Sequence, residues 1–500
     1  MRGKRPSQQV SLLWFRQSLR LSDHPALTAA IHAGRPIVPV YILDDETPGA
    51  WRLGGASRWW LAQSLKSLEK ELRVMGSQLI LRRGRYGEVI RSLISETNAK
   101  GLYFTRGYEP FQRTAEEQLA KLVPALGVEC SCFGGHLLVE PESLRKKSGG
   151  NYRVFAPFFK ALLGQISPSP PLPPPAKLES PAKWPASEAL ENWKLEPAKP
   201  DWAAGLRECW TVGEASARNR LRHFTGSLLE AYCNGRERPA ENGTSKLSPH
   251  LAFGEISPRQ VWNAVSAASA AAAPGADAAA EAYLRQLAWR EFSYHLLFHF
   301  PGLPDKPLRP EFDVFPWRKD VDKLRAWQKG KAGYPIVDAG MRELWHTGWM
   351  HNRARMIVAS FLTKHLLLPW QEGEAWFWDT LVDADLANNS ASWQWVAGSG
   401  ADAAPYFRIF NPILQGETFD PNGDYVRRFC PELAGLPAAF IHKPWQAPSE
   451  ALRRAGVTLG INYPSPIIEH GEARRRALAA YRKARAAAAK AEPDSLSAQG

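Results

Sequence analysis

The sequence is poor in cysteine and contains no long apolar run. Its five cysteines are an odd number, scattered from Cys130 to Cys430, and they match neither a disulfide framework nor the paired spacing of a zinc site. No stretch of about 18 uninterrupted apolar residues occurs, so we expect no membrane span. The basic residues 1–9 lead into a strand pattern rather than an apolar signal region. We therefore expect a cytoplasmic protein without a structural metal.

Acidic residues are also in the minority. The chain has 63 lysines and arginines against 50 aspartates and glutamates, which gives a formal net charge of +13. A basic protein of this size suits a polyanion such as nucleic acid, because phosphate contacts supply affinity that does not depend on base sequence. The alternative is that the basic segments near both ends only favour solubility.

The dinucleotide fingerprint G-x-G-x-x-G is missing as well, although the first 133 residues alternate strand and helix patterns. Strand patterns occupy 10–15, 36–42, 78–82 and 101–105, and helical spacing occupies 25–33, 56–74, 86–97 and 111–126. This alternation predicts an α/β domain with a parallel, Rossmann-like sheet that binds ligands at the carboxyl ends of its strands.

The rest of the chain divides into three parts. Residues 134–210 are rich in proline, with an extended run at 168–175, and predict an interdomain connector. Residues 211–481 lose the strand signals and predict an all-α domain, and 482–500 predict a flexible tail. The expected helices are Gly213–Cys233, Ser257–Ser269, Ala278–His299, Val321–Lys329, Val337–Thr347, Asn352–Lys364 and Glu372–Thr380, with a loop in the alanine-rich stretch 264–280.

Basic, acidic, amide and aromatic residues concentrate late in the helical part. A cluster at 349–356 is followed by an acidic-amide loop at 383–389 and by Trp393-Gln-Trp395. Asn352, Arg355 and Met356 share one helix face, and Arg355 could pair with Asp383. Buried charges cost several kcal/mol unless matched. The pattern favours an aromatic redox cofactor beside a pocket for another planar ligand, although a structural ion pair explains the charges equally well.

Two other groups could contact ligands. The loop Asn242–Ser248 has small hydroxyl residues before a helix and can offer donors to a phosphate, with Tyr232 nearby; an ordinary helix cap is the simpler explanation. On the next long helix, Tyr283, Gln286 and Arg290 share a face, and Trp289 lies beside it. Such a stripe suits a ligand, or else a polar network between helices.

The sequence resembles the DNA photolyase/cryptochrome family over nearly its whole length. The motifs that carry the resemblance are Trp14-Phe-Arg16, Leu19-Arg20, Asp23, Gly243-Thr-Ser-Lys-Leu-Ser248, Trp289-Arg-Glu-Phe292, Gly333-Tyr-Pro-Ile-Val-Asp338, Gly348-Trp-Met-His-Asn-Arg353, Asp383-Ala-Asp385 with Asn389, Trp393-Gln-Trp395 and Tyr406-Phe-Arg-Ile-Phe-Asn-Pro412. They occur in order and far apart, which makes the resemblance specific.

The resemblance implies an FAD in the helical domain. Its predicted contacts are Tyr232, Thr244, Ser245, Lys246, Leu247, Ser248, Tyr283, Gln286, Arg290, Asn352, Arg355, Asp383, Asp385 and Asn389. Tyr232, Thr244, Ser245, Ser248 and Arg290 fall on the phosphate and ribitol side. Arg355 and the three residues of the acidic-amide motif fall around the isoalloxazine, with Asn389 opposite N5.

The resemblance also implies chemistry on UV-damaged DNA. In the family, reduced flavin excited by blue light gives one electron to a flipped-out cyclobutane pyrimidine dimer, the dimer splits, and the electron returns. The predicted catalytic set is Trp317, Trp370 and Trp393 as an electron relay, with Asn389, Gln286 and Met356. The predicted DNA contacts are Trp289 and Trp395 as stacking walls, Met356, and the phosphate-binding Arg236, Arg353 and Arg408. We expect a monomer, associated with the nucleoid when bound to DNA.

An antenna chromophore is a further expectation. The proline-rich connector and Ser257-Pro258-Arg259 look like the bacterial branch nearest plant cryptochromes, which favours methenyltetrahydrofolate over an 8-hydroxy-deazaflavin. Glu109 is the residue expected to touch either one.

Several positions depart from the cyclobutane-dimer pattern. Gln286 stands where a glutamate is usual, Tyr283 where a tryptophan is common, and Ser18, His24 and Ala156 also differ. Enzymes for 6-4 photoproducts carry glutamine at the Gln286 position, but they place histidines where this chain has Asn352 and Met356. The sequence therefore favours repair of cyclobutane dimers, with a cryptochrome-like photoreceptor as the alternative and a 6-4 photolyase as a second alternative.

Overall fold

The first domain is built on a parallel sheet. The computed structural model describes residues 8–166, 169–271, 276–402 and 408–491. The strands, in the order β3-β2-β1-β4-β5 across the sheet, are β1 Val10–Phe15, β2 Ile37–Leu43, β3 Ile80–Arg83, β4 Ala99–Thr105 and β5 Glu129–Phe133. β1 is apolar apart from one serine and fully buried, because both faces of a parallel sheet are covered. The predicted α/β fold is confirmed.

Helices cover the two faces of this sheet. Leu13 and Phe15 of β1 pack toward the first two helices, whereas Leu12 and Trp14 pack toward the next two, since alternate side chains of a strand point to opposite faces. The helices are α1 Pro25–His32, α2 Gly55–Val74, α3 Tyr86–Thr97 and α4 Pro110–Ala125. All four match predicted segments to within one residue at each end.

Strand β5 is missing from the sequence-based prediction. Its residues, Glu-Cys-Ser-Cys-Phe, contain no apolar run. β5 lies at the edge of the sheet with Glu129 and Cys132 exposed, so burial does not impose the apolar pattern seen in β1.

The proline-rich segment runs along the first domain. The Asp23 N–H donates to the Leu172 carbonyl at 2.8 Å, and the Leu172 N–H donates to the Asp23 carboxylate at 3.0 Å. Residues 169–175, the described part of the expected extended run, carry neither helix nor strand.

Helices make up most of the chain that follows. The elements are α5 Phe155–Leu163, α6 Ala204–Cys209, α7 Glu214–His223, a π-helical turn Phe224–Leu228, α8 Tyr232–Gly235, α9 Ser248–Ala252, α10 Pro258–Ala271, α11 Ala276–His299, α12 Val321–Gln328, α13 Pro335–Thr347, α14 Asn352–Ser360, a π-helical turn Phe361–His365, α15 Trp370–Thr380, α16 Leu386–Ala397, α17 Pro412–Phe419, α18 Asp424–Phe429, α19 Ala438–Ile441, α20 Ser449–Arg454 and α21 His470–Ala491. The predicted all-α second domain is confirmed.

Two local predictions for this domain are wrong. Gly213–Cys233 is not one helix: the chain breaks before α8, and Tyr232 begins that helix with its ring 5.2 Å from Tyr283, a contact that local spacing does not reveal. The acidic-amide segment is a loop only as far as Asp385. Asp385 caps α16 by accepting the Asn388 N–H at 2.8 Å, so residues 386–389 are helical.

Two other expectations fall partly outside the described residues. The loop expected within 264–280 is bounded by α10 and α11, and its residues 272–275 are not described. α21 continues through residues 482–491 of the expected tail, because alanine, lysine and arginine favour helix, and 492–500 are not described. Within the described ranges, no helix has the length and apolar character needed to cross a membrane.

Buried polar contacts join the two domains. Arg20, only 1% exposed, donates to the carbonyls of Gly254 at 2.9 Å and Gly135 at 3.0 Å. The Trp60 indole N–H of α2 donates to Glu255 at 3.2 Å. These bonds set the orientation of the helical domain against the sheet, because buried donors without partners are costly.

Candidate functional site

One end of the candidate site is a hydroxyl cluster. The Tyr283 hydroxyl of α11 donates to Ser245 at 2.9 Å, and the ring of Tyr232 packs against that of Tyr283. The loop comes close to α8 at Gly243, where a Cβ atom would lie 2.5 Å from the Cα of Gly235. Thr244, Ser245 and Lys246 are partly exposed, Leu247 is buried, and Ser248 opens α9. The predicted phosphate loop therefore does lead into a helix.

Trp349 connects this cluster to the charged centre. Its indole N–H donates to Ser248 at 3.2 Å, and Lys246 and Arg355 lie over its ring at 5.3 Å and 5.8 Å. Trp349 is 8% exposed, so it forms a buried wall between the hydroxyl loop and α14. Sequence reasoning placed it in the basic cluster but assigned it no role.

The predicted charge pair forms at the centre of the site. Arg355 donates to both carboxylate oxygens of Asp383 at 3.0 Å and 2.8 Å, and its Nε donates to the Met350 carbonyl at 2.7 Å. The Asp383 side chain is 3% exposed and that of Arg355 is 25% exposed. Asp383 is thus buried in the protein, whereas Arg355 remains partly exposed.

The acidic-amide motif continues along α16. Asp385 accepts from Asn388 and from the Tyr294 hydroxyl, and the Asn389 amide donates to the Glu374 carbonyl at 3.0 Å. Asn389 is 8% exposed. Asp383, Asp385 and Asn389 are therefore carried by one loop and the first helical turn that follows it.

Glu374 is a buried acid that sequence reasoning missed. It is fully buried in α15, and the Ser390 hydroxyl donates to its carboxyl group at 2.5 Å. Burial raises the pKa of Glu374 well above its ordinary value. A signal was present, since Glu374 stands four residues after Trp370 on the apolar face of an aromatic-rich helix.

The three predicted relay tryptophans lie in or against one apolar cluster. Trp370 and Trp393 are 1% and 2% exposed, and Trp317 packs against the same cluster while remaining partly exposed. Gly373 lets the Trp393 ring come close to α15, because a Cβ at that position would be 2.1 Å from it. Two of the three are thus buried and one is partly exposed, which is compatible with a relay that ends at the surface.

The next part of the site combines the polarisable sulfur of Met356 with basic side chains. The Asn352 amide lies 3.7 Å from the Met356 sulfur, and Arg353 lies 3.9 Å from the same atom. Arg353 also forms an ion pair with Glu237 and lies over the Phe419 ring. Arg236 pairs with Glu237 as well, at 3.4 Å, and its guanidinium lies over the Tyr232 ring.

His351 positions this face. Its side chain caps α14 by accepting the Arg353 N–H at 3.1 Å, and it is 1% exposed. Burial, helped by nearby arginines and Lys246, lowers the pKa of His351 to about 4. His351 is therefore neutral when it caps the helix.

We expect acid to weaken the fold through His351. The unfolded chain takes up this proton near pH 6.5, whereas the folded chain does so only near pH 4, so the free energy of unfolding falls as the pH drops between these values. His351→Asn keeps a capping acceptor that does not titrate. We expect the free energy of unfolding, measured by chemical denaturation, to decrease less between pH 7 and pH 5 in this variant than in the wild type.

The matched control is His223→Asn on the exposed end of α7. This control variant should lose as much free energy of unfolding between pH 7 and pH 5 as the wild type. An equal loss in His351→Asn and wild type would contradict the assignment. The free energy of unfolding of His351→Asn should still decrease somewhat in acid, because burial also lowers the pKa values of His24, His295 and His365 to about 3.

The side chains that share a face of α11 do not all lie at one ligand contact. Tyr283 reaches the hydroxyl loop, but Gln286 bonds only to the Ala282 carbonyl at 3.3 Å among the described residues. Arg290 turns to the connector, where it donates to His136 through the backbone carbonyl at 2.9 Å and the ring at 2.7 Å. Its position is thus set by a residue 154 places away along the chain, which the shared helix face could not indicate.

The two predicted stacking walls differ in their surroundings. One face of Trp289 is covered by Phe155, with ring centroids 3.7 Å apart and an angle of 5° between the planes. Trp289 and Trp395 both remain partly exposed. Any base that stacks on Trp289 must use the other face of its indole.

The remaining predicted residues are more peripheral. Arg408 is exposed with its guanidinium over Phe410, and Tyr406 and Phe407 lie outside the described residues. Glu109 is 3% exposed and accepts from Gln17 at 3.4 Å. Burial and the nearby carboxylate of Asp385 raise the pKa of Glu109 to about 7, so this side chain points into the protein.

The fold and this site together define a two-domain protein in which a Rossmann-like domain rests on a helical domain that carries a cluster of hydroxyl, acidic, amide and basic side chains. Residues 283–483 match the family model described as the FAD binding domain of DNA photolyase, and residues 11–176 match the model described as DNA photolyase. The chain belongs to the DNA photolyase/cryptochrome family.

Relatives from both branches of the family are similar over most of the chain. A deoxyribodipyrimidine photo-lyase of Agrobacterium fabrum is 53% identical over 94% of this chain and 97% of its own length. Cryptochrome-2 of Arabidopsis thaliana is 39% identical over 93% of this chain and 77% of its own length. The crystal structure of a bacterial class III photolyase from Agrobacterium tumefaciens superposes with a TM-score of 0.92 and 51% identity, covering 97% of this chain and 99% of that one.

The residues at the site fit FAD. Hydroxyl groups and a helix start at Ser245 and Ser248 suit a diphosphate. The carboxylates and amide of the acidic-amide motif suit the polar edge of an isoalloxazine. Two buried polar atoms at the start of α14 also lack partners among the described residues, namely Nε2 of His351 and Nε of Arg353. A polar ligand at this position is what such atoms require.

Proposed function

We propose that this protein is a blue-light-driven photolyase that repairs cyclobutane pyrimidine dimers. The observation that carries the proposal is the face made by Asn352 and Met356 next to the Arg355–Asp383 pair. A polarisable thioether suits the apolar dimer. Asparagine and methionine also provide no titrating imidazole of the kind that proton donation to a 6-4 photoproduct uses.

We propose that the flavin is held at two ends. Tyr232, Thr244, Ser245 and Ser248 hold the diphosphate and ribitol, with Lys246 and Leu247 in the same loop, and Arg355, Asp383, Asp385 and Asn389 hold the isoalloxazine. The bound FAD supplies blue-light absorption and a one-electron donor. The residues of this chain orient that donor, exclude water from it and connect it to the surface through Trp393, Trp370 and Trp317.

We propose that DNA is held by the basic rim and the stacking walls. Arg236 and Arg353 are restrained by Glu237, which keeps two cations beside the pocket, and Arg408 is free to reach a phosphate from its exposed position. The exposed face of Trp289, together with Trp395, receives the flipped-out dimer. Such extrusion costs a few kcal/mol, which a lesion that is already poorly stacked reduces.

Repair of a defined oligonucleotide tests the proposal. The reduced protein under blue light should restore intact thymines in a strand with one cyclobutane dimer, whereas the dark sample should not. A strand with one 6-4 photoproduct should stay unrepaired. Repair of the second strand alone would favour the 6-4 alternative and contradict our interpretation of Asn352 and Met356.

A cryptochrome-like photoreceptor is the second candidate, and Gln286 favours it. A glutamine donates and accepts hydrogen bonds but has no acidic proton, and Gln286 makes only one weak bond among the described residues. If this position limits repair, Gln286→Glu should increase the rate of dimer splitting severalfold without changing the flavin content. Gln260→Glu, at a residue of α10 that bonds to the Ser257 N–H, is the matched control. No gain in Gln286→Glu would remove this argument for a photoreceptor.

We further propose an antenna chromophore, methenyltetrahydrofolate rather than a deazaflavin. The first domain has a cavity of about 960 Å³ at the carboxyl edge of its sheet, lined by Arg85, Tyr86, Arg91 and Phe111 among others. A volume of this size suits a pterin-type ligand. Glu109 does not line this cavity, so its contact with an antenna remains a separate proposal. Absorbance near the ultraviolet in addition to the flavin bands of the purified protein would support the proposal, and a spectrum of flavin alone would oppose it.

A further inference from the structure

A chain of buried hydrogen bonds runs behind Asp385. The Tyr294 hydroxyl donates to the Asp385 carboxylate and lies 2.8 Å from Nε2 of His136. Arg290 donates to the same Nε2 at 2.7 Å. Tyr294 and His136 are 1% and 3% exposed, so water does not compete for these bonds.

The Tyr294 hydroxyl has one hydrogen and two acceptors. His136 bonds to the backbone of Gln17, which places the hydrogen of the imidazole toward that carbonyl and leaves Nε2 as an acceptor. Burial and the neighbouring Arg290 and Arg20 lower the pKa of His136 well below its ordinary value, so the ring is neutral. Nε2 has a single lone pair, which already accepts from Arg290 at 2.7 Å, so the hydrogen of Tyr294 points to Asp385 and His136 lies against the Tyr294 oxygen.

This chain crosses the boundary between the domains. Asp385 and Tyr294 belong to the helical domain, His136 lies at the start of the connector, and Gln17 follows β1. Gln17 also donates to Glu109, whose pKa is raised by burial and by the nearby Asp385 carboxylate. The Asp385 carboxylate at the proposed flavin site is thus connected to the first domain by a continuous series of hydrogen bonds.

We propose that Tyr294 and His136 are positioning residues that tune the flavin through Asp385. The Tyr294 hydroxyl donates to Asp385 and so disperses part of its negative charge, while His136 and Arg290 hold that hydroxyl in position. No covalent bond forms or breaks, and no proton leaves Tyr294. The inference rests on the flavin site proposed above, since it needs Asp385 next to the isoalloxazine.

Removing the hydroxyl should make the flavin harder to reduce. In Tyr294→Phe, Asp385 keeps its full charge, which opposes the addition of electrons beside it. We expect the ratio of reduced to oxidised flavin at a fixed potential to fall about tenfold, a shift of about 30 mV for a two-electron couple. Spectroelectrochemical titration of the loaded protein measures it.

His136 should act only through Tyr294. In His136→Leu the hydroxyl loses the ring that holds it in position, so the midpoint potential should shift part of the way toward that of Tyr294→Phe, and the double variant should match Tyr294→Phe alone. His136→Gln offers an amide oxygen in place of Nε2 and should stay near the wild type, which keeps the test open if the leucine variant folds poorly. Tyr334→Phe removes another buried hydroxyl, bonded at 2.9 Å to the Ile468 carbonyl, and should leave the potential unchanged.

Three outcomes distinguish a failure of this inference from a failure of the proposed function. If the wild type holds flavin but Tyr294→Phe has the potential of Tyr334→Phe, the inference is overturned and the flavin site stands. Additive shifts in the double variant would overturn it as well. If the wild type takes up no flavin, the proposed function itself has failed.

Discussion

Trp393→Phe should nearly abolish photoreduction of the flavin while leaving the flavin bound. Trp393 is 2% exposed, and its ring is fitted between α15 and α16 with Phe377 at 5.0 Å. A phenyl ring fills most of the indole volume but is much harder to oxidise. We expect the rate to fall by at least about tenfold, which requires a change in the barrier of only about 1.4 kcal/mol. Illumination of the oxidised protein with an external reductant, followed by flavin absorbance, measures the rate.

Trp59→Phe is the matched control for this prediction. Trp59 is also buried, 1% exposed, and its indole N–H, like that of Trp393, has no partner among the described residues. It lies in α2 of the first domain. Its variant should photoreduce like the wild type. Equal rates in the two variants would exclude Trp393 from the relay, and loss of flavin from Trp393→Phe would show a packing role instead.

Arg355→Leu should cost both stability and flavin binding. The variant leaves the Asp383 carboxylate buried without its cation, and removing one partner of a buried pair typically costs about 3–5 kcal/mol. Because Arg355 is itself 25% exposed, we expect the lower end, about 3 kcal/mol. Chemical denaturation of the flavin-free protein gives the stability, and absorbance after purification gives the flavin content.

A second substitution separates the two effects. Adding Asp383→Leu to Arg355→Leu removes the stranded charge, so much of the stability should return, but flavin binding should not. The control Arg342→Leu breaks a pair with Glu432 whose arginine is similarly exposed, 23%, and should leave the flavin bound. Recovery of flavin binding in the double variant would show that the pair is structural, which is the alternative that the sequence left open.

Local patterns predicted the first domain well because its elements follow local rules. The helices α1 to α4 have regular spacing, and the buried strands are apolar on both faces. The exposed edge strand β5 has no such pattern and was missed. In the helical domain, the ends of segments failed where a distant contact decides them, as at Tyr232, whose turn toward Tyr283 breaks the expected long helix.

The candidate site was predictable where its residues are close in sequence. Asp383, Asp385 and Asn389 come together because one turn of α16 follows the loop, and the Arg355–Asp383 pair was expected from its chemistry. The partners of Arg290, Trp289 and Glu109 were not predictable. His136, Phe155 and Gln17 lie 154, 134 and 92 residues away from them, and nothing in local spacing selects such partners.

The sequence by itself determined the division into an α/β and a helical domain, the loop and motif residues of the proposed flavin site, and the basic net charge that the proposed DNA binding uses. These properties depend on residue type and on spacing within one element, which the chain carries wherever it folds. Only the tertiary structure decided that Arg290 turns to His136, that Glu374 is a buried acid, and that Tyr294 joins Asp385 to the first domain. In each case a polar group is shielded from water by residues that are distant in the sequence. Those residues are brought next to it only when the domains pack together.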